Sequence, residues 1–229
     1  SLFCWVYQNE LATPPKDLKD GESVEIYTAG GEYLATGYIN QKSVISVRVL
    51  SFEKTEINKE FFRARLQTAI DKRKQIKAKS NAYRLVNSEA DFLAGLIVDF
   101  YNGYLAIQIN TLGMENQRDI IIELLVELLN PKGIFDKSDA KVRKKEGIET
   151  QNGVIYGEVP NEIEIVENGI KFAMSLHDGQ KTGFYLDQRR NRHIVSKYIQ
   201  RDMKVLDVFC NAGGFGLYEI GRASCRERV

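Results

Sequence analysis

The sequence predicts a protein that is β at its amino end and α/β towards its carboxyl end. The order is a small all-β module, a central α+β unit, and the opening of a parallel α/β sheet. Three observations carry this prediction. Residues 1–55 alternate apolar and polar side chains around a Gly-Gly pair, and residues 57–77 change to helical spacing. The stretch beginning "KTGFYLDQRRNRHIVSKYIQ" then reads strand, helix, strand and runs into the glycine-rich turn "VLDVFCNAGGFG".

In "ESVEIYTAGGEYLATGYIN", Val24 and Ile26 alternate with polar residues before Gly30-Gly31, a hairpin signal because glycine accepts the positive φ of tight turns. In "SVISVRVLSF" the set Ile45, Val47, Val49 and Ser51 is the more apolar and is expected to face the core. Phe61, Phe62, Leu66, Ala69, Ile70 and Ile76 form the stripe of the following helix. "YRLVN", "LAGLIVDFY" and "YLAIQIN" read as strands, the last two joined at Asn102-Gly103. "QRDIIIELLVELLNPKG" is an amphipathic helix stopped by Pro131 and Gly133. "GIFD" is a strand leading into a basic stretch, and "IEIVENGIKFAMSL" is a second hairpin turning at Asn168-Gly169. The helix before the glycine loop is expected to bury Ile194, Val195, Tyr198 and Ile199.

Of the 229 residues, 43% are hydrophobic and 28% charged, the pattern of a soluble globular protein. No apolar run is long enough for a transmembrane helix, and no basic, apolar leader begins the chain. Cys4, Cys210 and Cys225 have neither metal-site nor disulfide spacing, which favours a reducing, cytoplasmic setting and no metal. The net charge of +1 does not announce a nucleic-acid partner. Local basic runs begin at Asp71, Lys137 and Asp187, and the plain reading of each is a solvated face.

The turn after "VLDVF" is not G-x-G-x-x-G, so it lacks the dinucleotide fingerprint. D-x-F-x-x-x-G-G-F instead resembles the first motif of class I S-adenosylmethionine-dependent methyltransferases. A purely structural αβ turn would also explain the glycines. Taken with "CWVY", "YRLVNSEAD", "GLIVD", "SDAKVRKKEG" and "KTGFYLDQR", the order resembles the bacterial large-subunit ribosomal RNA cytosine-C5 methyltransferases with an amino-terminal PUA domain. The resemblance covers about residues 1–218. Two departures stand out: Asp91-Phe92-Leu93-Ala94-Gly95 where the family commonly has D-G-L-P-G, and Asn211-Ala212 where it often has Tyr-Thr.

The resemblance implies a PUA-like RNA-binding β-barrel over residues 1–55 and a helix linker with a central α+β domain over 56–176. The start of a Rossmann-like methyltransferase domain over 177–218 would follow. S-adenosylmethionine is the implied cofactor and ribosomal RNA the implied partner, with a homodimer left open. The implied cofactor-binding residues are Tyr185, Asp187, Arg189, Asp207, Phe209, Asn211, Gly213, Gly214 and Phe215. Asp187 is equally a helix cap. Arg143, Lys144 and Lys145 are the implied phosphate contacts. Trp5 and Tyr7 are read as core residues rather than stacking platforms. A thiolate adding to C6 of the base would activate C5; that cysteine is expected beyond the end of this chain, so no catalytic residue is assigned here. Cys210 matches the cofactor motif rather than the nucleophile, and His177 and His193 have no ligand partners.

Residues 219–229 break the helical pattern, and "IGRASCRERV" resembles the translation of a sequencing adapter, so this stretch is expected to be an artefactual tail on an inactive fragment. Ser1 in place of Met points the same way at the other end. Two other classes stay open: a non-catalytic RNA-binding protein, and a methyltransferase acting on another substrate.

Overall fold

A computed structural model describes residues 4–12, 17–77, 79–177, 183–200, 203–208, 210–220 and 224–225. The amino-terminal module contains β1 (Trp5–Tyr7), β2 (Ser23–Tyr27), β3 (Tyr33–Ile39) and β4 (Ile45–Ser51), in the antiparallel order β1-β4-β3-β2. Gly31, at φ +84°, makes the expected turn between β2 and β3. The sheet is open among the described residues, with β1 and β2 as edges, so the expected barrel is not seen there. The set expected to face the core on β4 does so, and the opposite face is buried as well. Val47 and Val49 are buried on one face, and Leu50 on the other is fully buried against Phe62 and Leu66. β4 is an inner strand, and its second face docks on the central unit.

Next come α1 (Lys59–Lys72) and α2 (Lys74–Lys77). Asn58 caps α1 by accepting a hydrogen bond from the Phe61 amide at 3.0 Å. Phe62, Leu66 and Ala69 are the buried edge of the expected stripe. Truncating Leu66, which is fully inside the main core cluster, is expected to cost about 2–5 kcal/mol.

A five-stranded sheet forms the centre: β5 (Ala82–Asn87), β6 (Leu96–Tyr101) and β7 (Tyr104–Ile109), then β8 (Gly133–Asp136) and β9 (Gly153–Gly157) in sequence order. Only β7 and β8 run parallel, joined through α3 (Leu112–Glu115) and α4 (Arg118–Leu129). Asn102 and Gly103 both have positive φ and close the β6–β7 hairpin as the sequence indicates. Asn130, in the left-handed region, ends α4, whereas Gly133 opens β8, where a Cβ would collide with the Glu158 carbonyl. Phe92, the residue in place of the family's glycine, has φ +55°. Its ring packs edge-on against Phe52 at 5.9 Å and lies under the Arg65 guanidinium, contacts that offset a conformation unfavourable to a side chain. The basic stretch after β8 is α5 (Ala140–Glu146), capped by Asp139.

One face of this sheet packs on α1 and α4 through Leu96, Val98 and Leu105. The other is covered at one end by the hairpin β10 (Ile163–Glu167) and β11 (Ile170–Met174), over Ala82, Tyr101, Ala106 and Phe135. The other end of that face is left open.

The last region departs most from expectation. Residues 183–185 are irregular and lead into a 3-10 turn at Leu186–Gln188, where a strand was expected; Lys181 and Thr182 lie outside the described residues. α6 (Arg189–Val195) buries Arg192, while Ile194, Val195 and Tyr198 are exposed. An ion pair, not apolar periodicity, chooses its inward face. β12 spans only Lys204–Val205; α7 (Gly214–Glu219) follows, and β13 (Ser224–Cys225) returns parallel to β12. This parallel unit is not the expected one, which was to run from "KTGFYL" through α6 to "VLDVF": β12 pairs instead with β13, in the stretch expected to lie outside the fold.

Candidate functional site

The glycine loop joins β12 to α7. Asn211 and Gly213 both have positive φ, +52° and +66°, which turns the chain sharply enough for α7 to start at Gly214. The Asp207 carboxylate accepts a hydrogen bond from the Gly216 amide at 3.1 Å, tying the end of the strand to the first turn of the helix. Beside the loop is a hollow of about 140 Å³, lined by Tyr185, Asp207, Asn211, Gly214 and Phe215 among others. Five of the sequence-assigned cofactor residues are therefore brought together. Gly213 shapes the turn behind them, and Phe209 lies outside the described residues. Cys210 also lines the hollow.

What holds the loop in place was not legible in the sequence. Arg192, under the loop, forms a two-pronged ion pair with Glu167 at the hairpin turn, and its guanidinium lies 4.8 Å from the Phe184 ring centroid. A Cβ on Gly214 would sit 3.1 Å from the Arg192 side chain, so the glycine permits the close approach. On α7, Tyr218 donates to Glu167 at 3.0 Å and accepts from Asn168 at 2.9 Å. Burial pushes the Tyr218 phenol up to about 12, so it stays a donor at neutral pH.

Asp187 and Arg189 do not face this hollow. They line a second, larger cleft of about 610 Å³ over the open end of the central sheet, and Tyr185 lies between the two. Asp187 does not cap α6 either: Gln188 is the cap residue, and the Asp187 carboxylate accepts from its side chain at 3.1 Å.

The three assigned phosphate contacts separate. Lys144 and Lys145 are exposed on α5, but Arg143 is only 1% exposed. It bonds the Glu115 carboxylate and the carbonyls of Ile109 and Glu149, so its guanidinium braces α5 against α3 and cannot reach a phosphate. Burial opposes ionisation of Glu115, yet the Arg143 hydrogen bonds and charge hold its carboxyl below the usual range. Trp5 and Tyr7 are about 40% exposed on the edge strand, not in a core, and Trp5 donates to Glu89 at 3.1 Å. His177 and His193 are exposed, and the His177 ring meets Phe135 edge-on at 4.9 Å.

Residues 1–52 match the family model of a PUA-like domain. Over 221 residues, 94% of its length, the chain is 40% identical to the ribosomal RNA large subunit methyltransferase I of Aeromonas hydrophila, and it covers 55% of that protein. The enzyme of the same name from Tolumonas auensis is 41% identical over 221 residues, with the same shares. The chain thus spans about half the length of the curated relatives it matches. Among solved structures, a putative SAM-dependent methyltransferase from Streptococcus mutans superposes with a TM-score of 0.79 at 25% identity, over 96% of this chain and 56% of that one. A putative methyltransferase complexed with SAH shares the fold at a TM-score of 0.78 and 24% identity, over the same shares.

The residues at the loop fit such a cofactor in kind, with a carboxylate-clamped turn, close backbone approach and an aromatic neighbour. In size the hollow suits one end of it only, since sites that enclose a whole ligand run to about 300–1,000 Å³. Among the described residues no helix is long and apolar enough to cross a membrane, and no cluster of side chains would hold a metal ion.

Proposed function

We propose that this chain is part of an S-adenosylmethionine-dependent methyltransferase of the cytoplasm that modifies large-subunit ribosomal RNA, and that its target is C5 of a cytosine. The observation that carries the reading is the Asp207-to-Phe215 turn. It folds as a strand–loop–helix cradle beside Tyr185, in a chain similar along nearly its whole length to ribosomal RNA methyltransferases. The cofactor, when bound, supplies an electrophilic methyl group on a sulfonium. Asp207 and the amides of the turn would hold its polar end, Gly213 and Gly214 would let it approach the main chain, and Tyr185 and Phe215 would exclude water from one side. The choice of C5 rests on resemblance alone. The PUA-like module and the exposed Lys144 and Lys145 would hold structured RNA by shape and backbone.

Equilibrium dialysis with labelled S-adenosylmethionine tests the cradle. Weak binding that disappears in Asp207→Ala is expected, and the chain on its own is expected to transfer no label to ribosomal RNA. Absence of cofactor binding by the wild-type chain, with RNA binding intact, would leave the reading as a non-catalytic RNA-binding protein.

A further inference from the structure

We propose that the open cleft on the central sheet is a pocket for one unstacked nucleobase of the RNA substrate, separate from the cofactor cradle. This rests on the RNA reading above. Asn87, Ile97 and Gln108 are cross-strand partners on β5, β6 and β7, so they share one face of the sheet and form a row along its open end. Strands lie about 4.8 Å apart, which puts the two amide-bearing residues about 10 Å from each other with the half-buried Ile97 between them. A flat heterocycle laid on Ile97 has a polar side chain at either edge.

Two amides that line the cleft, those of Gln108 and Asn110, are each oriented by one end only. Gln108 donates its Nε2 to the Lys137 carbonyl at 3.0 Å, and Asn110 accepts at its Oδ1 from the Asp139 amide at 3.1 Å. Gln108 Oε1 and Asn110 Nδ2 have no partner among the described residues, nor has the Asn87 side chain. The cleft therefore presents a fixed acceptor and a fixed donor, the complement of a base edge that carries one of each.

Charge selects a base over a phosphate inside the cleft. Arg73 and Arg84 line it, but each is neutralised by a two-pronged carboxylate, Asp91 and Asp99 respectively. The Arg84 guanidinium, 41% exposed and held flat by Asp99, offers a plane for stacking. At the rim, Arg189 has no partner among the described residues and suits the phosphate of the same nucleotide. Val142 of α5 also lines the cleft, and Lys145, one helical turn on, continues the basic edge away from it.

The test uses the full 229-residue chain and fluorescence anisotropy with a single-stranded cytidine oligonucleotide and an RNA duplex, across a salt series. The wild type is expected to favour the single strand. Asn87→Ala with Gln108→Leu should weaken single-strand binding about tenfold without changing the salt slope, the loss expected for one good edge contact. Affinity within twofold of wild type would overturn the pocket while leaving the RNA reading intact. Failure of the wild type to bind either RNA would remove that reading and the pocket with it. As a check independent of variant folding, a 4-thiouridine oligonucleotide photo-crosslinked to the wild type should label peptides within residues 84–110 or 139–145. Adducts confined to residues 1–52 would overturn the proposal.

Discussion

Arg192 donates two hydrogen bonds to Glu167, Nε to Oε1 and Nη2 to Oε2, both at 2.8 Å. Both side chains are almost wholly buried, and Glu167 also accepts from Tyr218. One carboxylate thus fastens α6 and α7 to the β10–β11 hairpin, and the glycine loop lies between the two helices. Removing one partner of such a pair leaves a buried, uncompensated charge, so Glu167→Ala is expected to cost about 3–5 kcal/mol in urea unfolding. The double variant Glu167→Leu with Arg192→Met should recover most of that loss. A loss in the double variant equal to the sum of the losses in Glu167→Ala and Arg192→Met alone would show that the pair is not coupled.

Glu219 is the opposite case. Its side chain is buried and its Oε2 has no hydrogen-bond partner among the described residues. Burial, with the nearby Asp207 charge, raises its pKa. A raised carboxyl pKa favours the folded state while the group is protonated, so this contribution is present at acid pH and is lost as pH rises through the carboxylate range. Glu219→Ala should therefore raise stability at neutral pH by about 1 kcal/mol, the lower end of the cost of an unsatisfied buried polar group. It should also flatten this part of the pH profile. A lower melting temperature at pH 7 in the variant would contradict the assignment.

These two carboxylates mark where the sequence is legible. The Asn102-Gly103 and Asn168-Gly169 turns, α1 and α4 could all be read, because turn chemistry and apolar periodicity are local signals. The misread face of α6 shows the limit: Ile194, Val195 and Tyr198 have the spacing of a core stripe, yet the buried position is Arg192, chosen by a carboxylate 25 residues earlier. Arg143 fails for the same reason. It sits in a basic run that looks solvated, but long-range carbonyls and Glu115 draw it inward. β9 was missed because an edge strand that stays largely exposed carries little apolar alternation. Of the site, the glycine loop was legible, whereas the cleft was not, since it is assembled across three strands and α5.

Glu146 ties the amino-terminal module to the rest of the molecule. It accepts from Asn40 at 2.9 Å, Ser43 at 2.8 Å and Arg48 at 3.0 Å. Burial works against its ionisation, but these hydrogen bonds and the Arg48 charge outweigh it and hold its carboxyl below the usual range. A depressed carboxyl pKa stabilises the fold above the unfolded-state value, and that stability is lost as pH falls through the carboxylate range. Trp5, the one tryptophan in the sequence, is the cross-strand partner of Arg48, so its fluorescence reports on this junction. An acid transition in Trp5 emission is expected for the wild type. In Glu146→Gln the module should be less stable at pH 7 and that transition much shallower; an unchanged acid profile would refute the linkage.

Arg143, Lys144 and Lys145 are adjacent in sequence and should behave differently on substitution. Arg143→Ala strips Glu115 of a partner and leaves two carbonyls unpaired, so its effect should be on thermal stability. Lys144→Ala and Lys145→Ala should leave the melting temperature unchanged within error. Each should instead weaken RNA binding about equally for all sequences and reduce the slope of log affinity against log salt by about 1. Filter binding at several salt concentrations, run beside a thermal melt for each variant, separates the two effects. If the lysine variants keep the wild-type slope, α5 does not touch the RNA backbone, and the contact falls to the amino-terminal module.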